Sequence, residues 1–237
     1  ALRFLMNNSA TNHLLKIVIA ARDLRLHASF IDGWKRIFGE AESLEIHRKI
    51  GLFYKLIDTA AQEVLAADPE QADAVNHWRS QLYTGLSAAA ARNWTDFHAH
   101  IDSHTINYLK MQSRVVHLTN GDKAIDYEEL MRAKSLLLEA IEEIKNSDLS
   151  GNAKVAVIRR IRTLLAAIDD YSLTGNEDVL DQFKSGIYDF AANPEIREKG
   201  LGEKFAQAAE VLANIVTSVT GFQQLAAPTL KLLGLGK

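Results

Sequence analysis

Apolar side chains recur at helical spacing through most of this chain, and almost no segment alternates as a strand does. The segment after Glu45 shows the pattern clearly, because Ile46, Phe53, Ile57 and Val64 are four or seven residues apart and line one helix face. Such a stripe must be buried against another stripe. The pattern therefore predicts an all-α protein, a bundle of about eight mostly antiparallel helices joined by short connections.

The predicted helices follow from the apolar stripes and from the breaks between them. They cover residues 12–39, with or without a bend at the middle, 41–67, the segment after Asp68-Pro69, 94–113, the segment after Asp126, the segment after Asn152, the segment opened by Gly175-Asn176, and the stretch after Asn193-Pro194. The one short piece that favours β-structure is Val115–Leu118, which precedes the turn residues 119–122. This turn divides the chain into two helical halves, 1–117 and 118–237, which we expect to pack as one globular unit.

Three helix starts have recognisable capping signals. Asp68-Pro69 and Asn193-Pro194 each place a good N-cap residue before a proline at the first helical position. Asp126 and Glu129 have the spacing of a capping box. Gly39 is a natural C-terminal stop for the first predicted helix.

Composition narrows the function without naming it. The 237 residues carry a net charge of −3 and are 47% hydrophobic, so the whole-protein field does not attract nucleic acid. The chain has no cysteine, which excludes disulfides and thiolate chemistry and agrees with a cytoplasmic location. Phosphate-binding loops, dinucleotide-binding glycine motifs, a nucleophile elbow and a His-Glu-x-x-His helix are all absent. We therefore expect no cofactor.

The segment from Trp94 to His104 holds the densest group of metal-ligand side chains. On a continuous helix, Asp96, His100 and His104 fall within a sector of about 80° and would offer a carboxylate and two imidazoles on one face. Half-buried histidines that bond to carbonyl groups or to a nearby aspartate explain the same pattern. No second helix supplies a matching ligand motif, so a metal site is the weaker interpretation.

The same segment resembles the arginine–histidine motif of HEPN-type ribonucleases, which are helical bundles. Two stretches look like this motif: Arg92-Asn93-Trp94-Thr95-Asp96-Phe97-His98 and Arg22-Asp23-Leu24-Arg25-Leu26-His27. The resemblance covers only these short stretches. It implies that His98 acts as a general acid or base on a ribose hydroxyl while Arg92 holds the phosphate.

A basic patch lies on the predicted sixth helix. It consists of Lys154, Arg159, Arg160 and Arg162. Arg159 and Arg162 are neighbours on the helix and together suit a phosphate or an acidic partner. We expect them instead to pair with three glutamates of the preceding helix, namely Glu139, Glu142 and Glu143. Because no aromatic residues are interleaved with these cations, nucleic acid is a minor alternative.

The stretch from Val211 to Leu230 contains no charged residue. Its length suits a bilayer, but polar residues and Pro228 interrupt it, so a buried or partner-covered helix is the favoured interpretation. Membrane association through residues 211–230 stays open as an alternative.

Our leading hypothesis is a non-catalytic, cytoplasmic interaction or regulatory module that binds a protein partner or a second copy of itself. Its expected contact residues are apolar and lie near the C-terminus: Phe222, Leu225, Leu230, Leu232 and Leu233. The alternatives are the HEPN-like ribonuclease and the membrane-associating protein.

Overall fold

Helices account for 88% of the residues that the structure describes, and none of these residues forms a strand. The structure is a computed structural model that describes residues 9–25, 27–39, 42–89, 93–120 and 126–220. The all-α prediction is confirmed. The chain divides into two compact units, the first comprising 1–122 with 172–175 and the second comprising 123–171 with 176–237.

The described part holds eleven α-helices and one short 3₁₀ helix. In the first unit these are α1 Ala10–Asp23, α2 Phe30–Phe38, α3 Ser43–Ala67, the 3₁₀ helix Pro69–Gln71, α4 Ala72–Ala89, α5 Trp94–Ala99 and α6 Ser103–Asn120. In the second they are α7 Tyr127–Asn146, α8 Gly151–Asp169, α9 Tyr171–Ala192, α10 Pro194–Lys199 and α11 Glu203–Thr220. Helix α9 is kinked at Gly175, and its residues 172–175 belong to the first unit.

The count exceeds eight because three predicted helices are interrupted. The first is split into α1 and α2, where the sequence allows a bend. The last stretch is divided into α10 and α11 at Gly200 and Gly202, an interruption that these glycines predict. The predicted helix over 94–113 is wrong as one piece, since it breaks at residues 100–102 and restarts as α6. There the Asp102 carboxylate accepts a hydrogen bond from the Thr105 amide, at 2.6 Å, which caps a new helix start.

The expectation of β-structure at Val115–Leu118 is wrong. These residues belong to α6, which continues to Asn120. Val116 is fully buried within the first unit. Its packing outweighs the strand preference of the two valines, as tertiary contacts commonly do.

Most of the capping predictions are confirmed in detail. Gly39 ends α2 in the left-handed conformation, with φ 64°. Asp68 caps the 3₁₀ helix, and Asn193 accepts hydrogen bonds from the amides of the first turn of α10. Asp126 caps α7 by accepting from the amide of Glu128, so the cap is present without the partnership with Glu129 that the sequence suggested.

Aromatic rings fill the centre of the first unit. Trp34 stacks on Phe38 at a centroid distance of 5.1 Å and contacts Phe53 at 4.9 Å and Trp94, edge to face, at 5.5 Å. Gly33 makes this arrangement possible, because a Cβ atom there would lie 1.8 Å from Cε3 of Trp94. Helix α2 can approach α5 closely only because this position lacks a side chain.

The second unit is built around α7, which packs against α8 and α11. The stripe Leu130, Leu137 and Ile144 faces inward, as do Ile161 and Leu164 of α8. Helix α11 contributes the first part of the uncharged stretch, where Val211, Leu212, Ile215 and Val216 are buried. This part of the stretch is therefore core, as the favoured interpretation expected.

A polar group is buried near the start of α1. The Glu63 carboxylate of α3 accepts hydrogen bonds from the amide and the hydroxyl of Thr11, at 2.8 and 2.6 Å. His13 is only 5% exposed, and its Nδ1 donates to the carbonyl of Ser172 in the same unit, at 3.1 Å. Burial, with the nearby charge of Lys16, lowers the pKa of His13 to about 4.

Replacing Gly33 by alanine tests the close approach of α2 to α5. We expect Gly33→Ala to lower the free energy of unfolding by about 3 kcal/mol, because the added methyl overlaps the Trp94 ring. Gly51→Ala is the matched control: Gly51 lies in α3, and a Cβ added there would have no atom within 4 Å, so alanine should stabilise by about 0.5–1 kcal/mol. Urea unfolding measures both, and equal effects of the two changes would contradict the packing.

The low pKa of His13 predicts a loss of stability in acid. The folded state holds this imidazole neutral, so its contribution is complete above pH 6.5 and is lost as the pH falls toward 4. Between pH 7 and pH 4 the wild type should lose about 3 kcal/mol that a His13→Gln variant does not lose. Urea unfolding of both proteins at several pH values measures this, and a constant stability difference would refute the prediction.

Candidate functional site

The histidine of the ribonuclease-like motif is used to join helices. His98 lies on α5, and its Nε2 donates to the carbonyl of Arg22, at 2.8 Å. The guanidinium of Arg22 in turn donates to the carbonyl of Ile101. Arg92 lies outside the described residues, so the structure does not test whether it meets His98. The pairing of these two residues stays a prediction.

The three proposed metal ligands lie in three separate surroundings. Asp96 accepts from the amide of Asn93, within the capping box of α5. Nδ1 of His100 bonds to the side chain of Gln81, at 3.2 Å. His104 is on α6, beyond the break, and within the described ranges no group of three histidine or carboxylate side chains has the arrangement of a metal site. The predicted convergence is wrong because it assumed one unbroken helix.

His104 belongs instead to a half-exposed cluster that the sequence did not reveal. The Asp102 carboxylate bonds to Nε2 of His77, at 3.1 Å, and the His77 ring contacts His104 and Tyr108 at centroid distances of 6.1 and 5.6 Å. Burial alone would raise the pKa of Asp102, but hydrogen bonds from Thr105 and the neighbouring His77 lower it. The cluster links α4 to the start of α6. His77 is 25 residues from Asp102 in sequence, so no local spacing indicates the contact.

The four cations of the basic patch also separate in the structure. Nζ of Lys154 donates to the carbonyl of Lys145, at 2.9 Å. Arg160 forms an ion pair with Asp189, at 3.1 Å, and donates to Gln182. Arg159 and Arg162 are both exposed on the outer side of α8. Only these two remain available to a ligand.

The expected pairing of the α7 glutamates with the arginines of α8 is wrong. Glu139 binds Nζ of Lys204, at 2.7 Å, and Glu142 binds Nζ of Lys145, at 2.6 Å. Glu143 accepts from the amide of Lys204, at 3.0 Å. These carboxylates are directed to α11 and to the end of α7. Among the residues that the structure describes, none forms an ion pair with Arg159 or Arg162.

The two arginines border a shallow groove of about 550 Å³. We call its lining the α8 face; it comprises Val155, Ile158, Arg159, Arg162, Thr163 and Ala166. Val155 is 70% exposed. A second groove of about 490 Å³ lies beside it, includes Leu138 of α7 and shares Arg162 with the first. The second groove is also lined by Glu139 and Glu142, the carboxylates that pair with Lys204 and Lys145.

The α8 face combines cationic and apolar side chains. It contains no thiol, imidazole or carboxylate, and the hydroxyl of Thr163 donates to the carbonyl of Arg159 within the helix. Guanidinium groups bind carboxylates or phosphates with directed hydrogen bonds. The adjacent valine and isoleucine offer apolar contact. The sequence predicted only part of this site. Arg159 and Arg162 were candidate ligand-binding residues, but their apolar neighbours were not.

The predicted C-terminal contact residues cannot be placed on either unit. Phe222, Leu225, Leu230, Leu232 and Leu233 lie outside the described residues. Over the ranges that are described, no helix has the length and hydrophobicity needed to cross a membrane. The C-terminal contact surface and the membrane alternative therefore remain predictions.

Alanine substitutions at two valines of α8 test whether its exposed side contributes to the stability of the fold. Val157 is fully buried, and Val157→Ala should cost about 2 kcal/mol of unfolding free energy. Val155 is two residues away and exposed, so Val155→Ala should change stability by no more than about 0.5 kcal/mol. Thermal and urea unfolding provide the measurement. A large cost at Val155 would mean that something within the chain covers this face.

Comparisons with known proteins add no function to this geometry. No protein-family model matches the chain, and no curated protein or solved structure is significantly similar to it. Neither a catalytic residue set nor a partner can therefore be transferred by similarity. The function must be argued from the surface itself.

Proposed function

We propose that this protein is a non-catalytic interaction module that binds another protein chain through the α8 face. The observation that carries the proposal is the pair Arg159 and Arg162. They lie beside exposed Val155 and half-buried Ile158 and have no carboxylate partner in the described part of the chain. Arginine is among the residues that are enriched in protein interfaces and at their energetic hot spots, and the adjacent apolar groups add area that a partner can bury.

The fold itself does not account for this surface. Val155 is 70% exposed and Leu138 is 50% exposed, so they contribute little to the core of the second unit. Leaving an apolar side chain in water forgoes about 1.5–3 kcal/mol of burial energy. A partner that covers these residues would recover part of that energy, which supports a role in association.

A protein partner fits this surface better than nucleic acid does. Proteins that hold a duplex neutralise about six to ten phosphates, whereas the α8 face offers two free cations and no aromatic ring. The net charge of −3 also opposes the approach of a polyanion. The ribonuclease hypothesis gains no support from His98, because its Nε2 already donates to a backbone carbonyl.

Site-directed photocrosslinking in the 237-residue chain tests the proposal. A photoactivatable residue at Val155 should give one discrete adduct with another protein chain. The matched control places the same residue at Tyr188 of α9, which is 68% exposed in the same unit and should give no such adduct. Gel electrophoresis and mass spectrometry identify the product and the site of the crosslink.

Charge reversal shows whether the adduct depends on the α8 face. Arg162→Glu should reduce its yield at least about fivefold, since an interface cation becomes an anion. Arg197→Glu, at an exposed position of α10 in the same unit, should leave the yield unchanged. Equal adduct yields from positions 155 and 188, or a yield that Arg162→Glu leaves unchanged, would exclude the proposed function.

A further inference from the structure

We infer that the ligand of the α8 face is an acidic amphipathic helix of the partner protein, about three turns long. This inference rests on the proposed function and specifies the chemistry of the partner. It combines three properties of the face: its length, the lack of a strand edge beside it, and its uncompensated positive charge.

The dimensions of the face suit a short helix. Val155 and Ala166 mark its ends along α8, and at 1.5 Å per residue they are about 16 Å apart. A helix of about three turns has the same length. The side chains of α8 form ridges, and a second helix packs by placing its own side chains in the grooves between them. The adjoining groove, which contains Leu138 together with the ion pair of Glu142 and Lys145, extends this surface toward α7.

The elements that border the face are helices, which favours a helical ligand over an extended peptide. An extended segment gains most of its affinity by adding a strand to a sheet edge. The described residues of the second unit form helices and no strand, so their backbone amides are already used within helices. The contacts that remain are between side chains, which is the mode of helix-in-groove recognition.

The charge of the face requires an acidic ligand. Arg159 and Arg162 are one turn apart on α8, so carboxylates one turn apart on a ligand helix can meet both. The carboxylates of the adjoining groove are already paired, Glu142 with Lys145 and Glu139 with Lys204. An acidic ligand therefore meets two unpaired guanidinium groups, while a basic ligand meets repulsion.

The chain's own C-terminal segment does not match this surface. Residues 221–237 contain Lys231 and Lys237 and no aspartate or glutamate. Docking this segment on the α8 face would bring lysine toward arginine and leave the guanidinium groups without anions. Charge complementarity therefore favours a helix from another protein.

Two synthetic helical peptides test the inference with the whole 237-residue chain. Both have 15 residues and leucines at positions that form one apolar stripe; the flanking residues are glutamate in one and lysine in the other. Fluorescence anisotropy should show binding of the glutamate peptide at least about tenfold tighter than that of the lysine peptide. A labelled single-stranded RNA of 15 nucleotides should bind more weakly than the glutamate peptide.

Charge exchange on the protein provides the decisive control. The double variant Arg159→Glu/Arg162→Glu should prefer the lysine peptide, which is a gain of binding that misfolding cannot produce. Arg197→Glu should keep the preference of the wild type. The Val155 photocrosslinker should attach to the glutamate peptide and the Tyr188 photocrosslinker should not.

Several results would overturn the inference. Equal binding of the two peptides, no binding of either, or preference for RNA would each exclude an acidic helix. A dimer in sedimentation velocity that Arg162→Glu abolishes would assign the face to a second copy of the chain. Failure of the peptides, with a discrete Val155 adduct still formed, removes only the acidic helix. Loss of that adduct removes the proposed function itself.

Discussion

Burial of apolar helix faces is the interaction on which both units depend. In the first unit, Trp34, Trp78 and Trp94 are all fully buried, and aromatic rings are the largest apolar surfaces that a chain can remove from water. Their contacts are close enough that a single methyl group at Gly33 would collide with Trp94. A helix cap is worth about 1 kcal/mol, which is small beside several buried aromatic side chains. Caps therefore select where helices begin, while packing determines whether they are stable.

The packing of short helices also explains why the polar side chains of the histidine-rich segment form structural hydrogen bonds. A bundle of short helices has many helix ends and connections, and each leaves backbone carbonyls and amides that need partners. His98 satisfies the carbonyl of Arg22, and Asp102 both caps α6 and binds His77. Side chains that resemble a ligand set in sequence are thereby used to join helices. A cluster of polar residues is informative about chemistry only after these structural hydrogen bonds have been assigned.

In the second unit, by contrast, two charged side chains remain without a partner after the hydrogen bonds and ion pairs have been assigned. The α7 glutamates bind Lys204 and Lys145, and Arg160 binds Asp189, so the internal carboxylates nearest to α8 are occupied. Arg159 and Arg162 are left beside exposed Val155. Exposed apolar area is unfavourable in water, and the adjacent guanidinium groups can bind the anions of a partner that covers it. The proposed binding function rests on the contrast between the paired charges of the second unit and the unpaired Arg159 and Arg162.

The helical class, most of the apolar faces and several helix ends can be predicted from the sequence. These features are local: a stripe of Ile46, Phe53 and Val64, or a proline after Asp68, acts over one or two turns. The sequence also indicated Arg159 and Arg162 as candidates, because they are neighbours on one helix. The tertiary structure alone decided which charges found partners. Glu139 and Lys204 are 65 residues apart, and His77 and Asp102 are 25 residues apart, so their contacts depend on how the helices pack. Periodicity places a side chain on a face, but only packing brings a second helix to it.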